Sequence, residues 1–254
     1  PGALHQLRIQ IRRLRSLLSF VKPLVDPADH EKWQEELRAL SRTTGSLRHT
    51  DVMREKWREM SERCGPLTPP PWLGLMLDNE RGRLRKDLEA PLCGRLTSTL
   101  LAFWAWLAEE NTLRPPAADP AAFAAGRLTA WLEGMRETGA GLGLRDIAGL
   151  HRLRIQGKKL RYVLESLAWH DRKSRLLLSR LKRLQDCLGQ IRDAYTVGQT
   201  LADWMNRHAS RTVHRDAGLL TGWTAKTGAD AEEDFGRAWR RFKRAARRWR
   251  KDGE

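Results

Sequence analysis

The stretch Leu4-His5-Gln6-Leu7-Arg8-Ile9-Gln10-Ile11-Arg12-Arg13-Leu14-Arg15 returns, little changed, as Leu150-His151-Arg152-Leu153-Arg154-Ile155-Gln156-Gly157-Lys158-Lys159-Leu160-Arg161. At about 100° per residue, His5, Arg8, Arg12 and Arg15 share one quadrant of a helix, while Leu7, Ile11, Leu14, Leu18 and Val21 lie behind them. In the second copy His151, Arg154, Lys158 and Arg161 take the same quadrant, backed by Leu153, Leu160, Leu164 and Leu167. Each stripe runs roughly 15 Å at the usual helical rise. No acid stands between Pro1 and Val25 or between Ile147 and Leu164. A solvated helix face normally interleaves charges to gain i, i+4 pairs and avoid like-charge repulsion. Cations stacked without counter-charge, twice in one chain, predict an extended polyanion lying along the stripe.

Working outward, 254 residues with 41% hydrophobic content suffice for one large or two small domains with a sizeable core. A net charge of +16 and a pI near 10.6 predict anionic partners: nucleic acid, an anionic membrane surface or a polymeric phosphate. Cys64, Cys93 and Cys187 are odd in number and far apart, which suggests neither a disulfide framework nor a Cys-x-x-Cys metal site and fits a reducing cytoplasm. There is no run of about 18 apolar residues and no signal-peptide pattern.

Strand signals are almost absent, and Leu, Ala, Arg and Glu recur at helical spacing, so the chain is expected to be all-α. The spacing predicts helices over 4–22, from Asp29 as N-cap to about Gly45, and over 51–63, closed by Gly65-Pro66. Pro69-Pro70-Pro71 reads as a stiff connector. A further helix over 72–111 is expected to break near Pro91 and to bury a stripe of Leu96, Leu100, Phe103, Trp104 and Leu107. Arg114-Pro115-Pro116 and Asp119-Pro120 mark a boundary between residues 1–115 and 116–254. The second half predicts helices over 121–138, through the repeated stretch to about 170, over 175–188 closed by Gly189, over 191–208, over 213–227, and a last one carrying Phe235, Trp239, Phe242, Ala246 and Trp249.

The duplication extends further, because Leu37-Arg38-Ala39-Leu40, Gly45 and Leu47-Arg48 correspond to Leu181-Lys182-Arg183-Leu184, Gly189 and Ile191-Arg192. The helix over 121–138 has no counterpart before His5. This suggests a leading helix missing upstream of Pro1.

These residues resemble the CHAD family, the histidine-containing α-helical domain. Leu150 to Arg161, followed by Tyr162-Val163-Leu164-Glu165, is similar to the signature of that family's second half, and Leu4 to Arg15 to its partner in the first. Leu181 to Gly189 and Trp239-Arg240-Arg241-Phe242 match further segments. Where the family reads Arg-Asp after the loop glycine, this chain has Arg48-His49. The resemblance implies two helical bundles related by a pseudo-twofold, together one integrated domain, with basic helices lining a shared central cleft or pore. It further implies non-catalytic binding of inorganic polyphosphate, with cytoplasmic placement at polyphosphate granules as a corollary. The candidate binding residues are His5, Arg8, Arg12, Arg13, Arg15, Arg38 and Arg48 in the first half, and His151, Arg154, Lys158, Lys159, Arg161, Lys182, Arg183 and Arg192 in the second. Arg brings forked, charge-assisted hydrogen bonds to phosphate oxygens, and Lys a point charge.

Other chemistries fit less well. A helical metal pair wants its second ligand at i+3 or i+4, where the histidines instead meet Arg8 with Ile9 and Arg154 with Ile155, so no metal is expected. No nucleophile–base constellation or glycine-rich phosphate loop is present, so neither catalysis nor a cofactor is expected. Sequence-independent nucleic-acid binding is the main alternative, since it would use the same cations. Base recognition, however, asks for aromatic platforms or Asn and Gln on the basic face, and only Phe20 and Tyr162 lie near. The tryptophans, such as Trp104, Trp131 and Trp239, fall on apolar stripes and are assigned to core. A membrane role for the basic, aromatic C-terminal helix is disfavoured because those aromatics serve packing better.

Overall fold

The structure, a computed structural model, describes residues 2–64, 72–110, 112–116, 119–167, 171–207 and 210–250. The expected stop at Gly65-Pro66, the Pro69–Pro71 connector and the helix ends near 170 and 208 lie outside these residues. No strand occurs among the described residues, and the chain is all-α. Helices run in the order α1 (Gly2–Phe20), a 3-10 turn (Lys22–Leu24), α2 (Pro27–Thr43), α3 (Gly45–Cys64), α4 (Trp72–Ala108), α5 (Pro120–Thr138), α6 (Ile147–Ser166), α7 (Arg172–Arg207) and α8 (Arg211–Arg250).

Several boundaries differ from expectation. Helix α2 begins one turn early because Asp26, not Asp29, holds the first turn, its carboxylate accepting from the Ala28 N–H at 2.9 Å. Helix α3 starts at Gly45 and absorbs 45–50, where Leu47 and Thr50 are buried. Pro91 lies inside a continuous α4. The segments split at Gly189 are one helix, α7, and the segment over 213–227 is continuous with the last helix in α8. Gly189 costs about 1 kcal/mol in a helix interior. The buried Leu184, Leu188 and Ile191 around it outweigh that cost.

The chain divides into two compact units, each assembled from three stretches. The first comprises Pro1–Ile11, Glu31–Glu110 and Asp193–Thr227, and the second Arg12–His30, Asn111–Arg192 and Gly228–Glu254. In the first unit Met53, Trp57 and Met60 of α3 pack on Leu73 and Leu77 of α4, Val197 and Leu201 of α7, and Ala217 and Leu220 of α8. Trp33 of α2 forms an aromatic group with Phe103 and Trp106 of α4, at centroid distances of 5.1 and 5.5 Å. The expected α4 stripe is thus only partly core. Trp104 is 71% exposed, and Leu100 and Leu107 are exposed as well, because the helix turns Phe103 and Trp106 inward.

The second unit is built on Phe20 of α1, Leu128, Leu132 and Met135 of α5, Leu150, Leu153, Leu160, Val163 and Leu164 of α6, Leu177, Leu181, Leu184, Leu188 and Ile191 of α7, and Phe235, Trp239 and Phe242 of α8. Asp119 caps α5 by accepting from Ala121 and Ala122, and Asp146 caps α6 by accepting from Gly149 at 2.7 Å. Gly141 takes the αL conformation, φ +68°, between these helices, where a side chain would be strained.

Two arginines close helix C-termini, where the last four carbonyls lack intrahelical partners. Arg8 Nη1 donates to the Ser41 carbonyl of α2 at 2.7 Å and to Thr44 Oγ1. Arg127 of α5 donates through Nε to the Phe20 carbonyl at 3.1 Å and through Nη2 to that of Ser19 at 3.2 Å, closing α1. Replacing Arg8 by Ala is expected to lower stability by about 1–2 kcal/mol, the usual worth of charge-assisted hydrogen bonds at a partly buried site. Leu153→Ala, at 0% exposure, is expected to cost about 2–5 kcal/mol, whereas Trp104→Ala stays within about 0.5 kcal/mol. Urea unfolding of the three variants beside the parent chain checks this order.

Candidate functional site, a basic flank in the second unit

In α6 the apolar residues Leu150, Leu153, Leu160 and Leu164 are buried, and Arg152, Ile155 and Lys159 form the most exposed face. The quadrant of His151, Arg154, Lys158 and Arg161 lies between these two and is half-buried. The stripe is therefore a flank that packs, not the outward face. What lets α6 sit close is Gly157, where a Cβ would come within 3.1 Å of Met135 Cε and 3.3 Å of Gln185 Nε2. The first copy has Ile11 at that position.

Two groups of candidate residues converge in this unit. The imidazole of His151 lies in the field of Arg192 of α7 and of Arg154 and Lys158 of its own helix. Burial first, then those three cations, hold its pKa below 6.5, because each disfavours the imidazolium. Its Nδ1 is buried with no hydrogen-bond partner among the described residues.

The second group surrounds Glu165. Its Oε2 accepts from Arg13 Nη2 of α1 at 3.1 Å, and its Oε1 lies 3.7 Å from Arg161 Nε of α6 and 3.6 Å from Lys182 Nζ of α7. One carboxylate, 18% exposed, thus gathers cations from three helices. Sequence reasoning left Glu165 out of the candidate set. Its signal was positional, since it is the acid that ends the acid-free run of the repeated helix.

The remaining candidates are placed differently. Arg12 and Arg15 are half-buried on α1, and Lys159 is exposed on α6. Arg183 turns toward α8, where its Nη2 donates to Asp234 at 2.8 Å. In the first unit Arg8 is committed to the end of α2, and Arg38 pairs with Glu35 at 2.7 Å. His5 and Arg48 line a pocket of about 630 Å3 together with Arg54, Arg58, Asp51, Glu55 and Asp78, a lining of mixed sign. Asp51 there accepts from Arg81 Nε at 2.7 Å. His49, at the position that departs from the family pattern, shares a hydrogen bond of 2.6 Å with Thr200 Oγ1, and burial lowers its pKa. Among the described residues no three His, Cys, Asp or Glu gather in a metal-holding group, and no helix is long and apolar enough to cross a membrane.

Comparison with solved structures finds PptA from Streptomyces chartreusis at 21% identity and a TM-score of 0.72, covering 92% of this chain and 88% of that one. The CHAD domain from the plant Ricinus communis is similar at 24% identity and a TM-score of 0.73, covering 92% and 80%. At these identities the likeness is one of fold. A search of curated proteins finds no match. The family description CHAD domain matches residues 1–202, spanning the repeated helix, the Glu165 cluster and the flank around His151. This chain belongs to the CHAD domain family.

Proposed function

We infer that the protein binds inorganic polyphosphate without transforming it, and that the half-buried basic flank of α6 in the second unit is a main part of its binding surface. The observation that carries this reading is the convergence of Arg154, Lys158 and Arg192 on His151. A linear polyanion can place successive phosphoryl groups along such a row of cations, each phosphate taking charge-assisted hydrogen bonds. Arg13, Arg161 and Lys182 extend the cationic set across three helices. Family membership supports the same ligand class. Placement at polyphosphate granules follows from this reading.

A competition titration at fixed salt, comparing long-chain polyphosphate, duplex DNA, single-stranded RNA and anionic vesicles, tests the proposal. Polyphosphate is expected to bind most tightly, with a log-log salt slope steeper than about −2, since several cations release counterions together. Equal affinity for duplex DNA of matched charge would favour a general nucleic-acid binder. The double variant Arg154→Glu, Lys158→Glu, if folded, is expected to lose most of the affinity; unchanged binding would put the site elsewhere.

His151 adds a pH dependence whose sign can be worked out. Its pKa in the free protein is depressed below 6.5, so the folded chain holds fewer protons there than the unfolded one. Stability therefore falls as pH drops through 6.5 toward the lowered value. A bound polyanion reverses the local potential and favours the imidazolium. Binding then takes up protons, and affinity rises as pH falls into that window. Calorimetry in buffers of different ionisation enthalpy is expected to show less proton uptake for His151→Ala than for the parent chain, and equal uptake would exclude this role.

A further inference from the structure

Glu165 is a carboxylate where the rest of the flank is cationic, and its surroundings are those of a bound anion. Three positively charged groups from α1, α6 and α7 point at it, at 3.1, 3.7 and 3.6 Å. The donors exceed what it can use. Among the described residues Arg13 Nε and Arg161 Nε are both buried without a hydrogen-bond partner; a guanidinium offers five donors and a carboxylate two oxygens. A phosphoryl group presents more oxygens, spread tetrahedrally, and more charge. The partners are also accessible, since Arg13 and Lys182 keep 38% and 52% of their side-chain surface exposed. Glu165 sits on the last turn of α6, one residue from its end at Ser166, so its long side chain can withdraw without unravelling the packed part of the helix.

We propose that Arg13, Arg161 and Lys182 form a discrete phosphoryl-binding subsite that Glu165 fills from within the chain when no ligand is bound, and that a polyphosphate unit enters by displacing this carboxylate. The proposal deepens the polyphosphate reading and takes its ligand from it. Its consequence is that Glu165 holds the three cations together in the free protein, where they would otherwise repel, and at the same time weakens the affinity for the incoming anion. Glu165 is thus a positioning residue that sets how strong a polyanion must be to enter: chloride and single carboxylates exchange poorly against an intramolecular competitor, whereas a multivalent phosphate chain succeeds.

The test is Glu165→Gln, which keeps the shape and removes the charge. Polyphosphate affinity is expected to rise by about threefold or more, since a partly exposed ion pair must no longer be broken. The salt slope should steepen by about 0.7, one further cation being released to the ligand. A folded variant with unchanged or weaker affinity and an unchanged slope overturns the proposal and leaves Glu165 a purely structural link. A second readout does not depend on polyphosphate. At matched ionic strength, inorganic phosphate in place of chloride is expected to raise the melting temperature of Glu165→Gln more than that of the parent chain. If the variant does not fold in chloride, phosphate should restore folding, and failure to do so counts against the subsite. Absence of polyphosphate binding by the parent chain would refute the functional reading alone, while the phosphate arm still decides the subsite.

Discussion

A helix flank that must pack and must also carry several positive charges is the constraint on which the second unit depends. Packing brings Arg154, Lys158 and Arg192 around His151, and it brings Arg13, Arg161 and Lys182 within reach of one another. Half-buried cations repel more strongly than fully solvated ones because the medium between them screens less. The fold answers in two ways. Around His151 the imidazole is kept from adding a further charge, and around Glu165 a single carboxylate joins three helices. Close approach is made possible by Gly157, whose missing side chain leaves room for Met135 and Gln185. A larger residue there would push α6 away from α7 and open the spacing on which both groups rely.

The first unit uses similar residue types to different ends. Arg8 belongs to the repeated motif, yet it is committed to the C-terminal end of α2 through Ser41 and Thr44. In the second unit Arg127, outside the motif, does the same for α1 through Ser19 and Phe20. A guanidinium can reach across to another helix and satisfy carbonyls that the helix itself leaves open, so an arginine on a basic stripe need not belong to a ligand site. The pocket that contains His5 and Arg48 mixes three acids with its arginines, which gives it a different electrostatic character from the α6 flank. The two copies of the motif are therefore unequal in chemistry despite their near-identical order of residues.

How much of this could be read from the chain depends on the range of the forces involved. Helix content was legible because it rests on local propensity and spacing, and the repeated string with its cationic quadrant needs only the pitch of a helix. Capping was legible in kind but not in place: Asp26 and Asp29 are both suitable residues, and only the seating of α2 selects the former. The fusion of the segments flanking Gly189 into α7 was not legible, since the local cost of glycine argues for a stop and distant contacts of Leu184, Leu188 and Ile191 override it. Trp104 and Trp106 lie two positions apart on one apolar run, and which of them is buried is decided by the partner surface that Trp33 of α2 offers.

The sequence by itself determined the all-helical class, the doubling of a basic motif and the strong positive charge of the chain, because each follows from residue type and a fixed periodicity. Tertiary structure alone decided which stretches join which compact unit, which cations converge, that Arg8 serves a helix end and Arg183 an acid on α8, and that Glu165 stands among three positive charges. The physical reason is that a periodicity gives the direction of a side chain relative to its own helix axis. It carries no information on what another helix, brought from a hundred or more residues away (Arg13 to Glu165 spans 152 positions), will present to it.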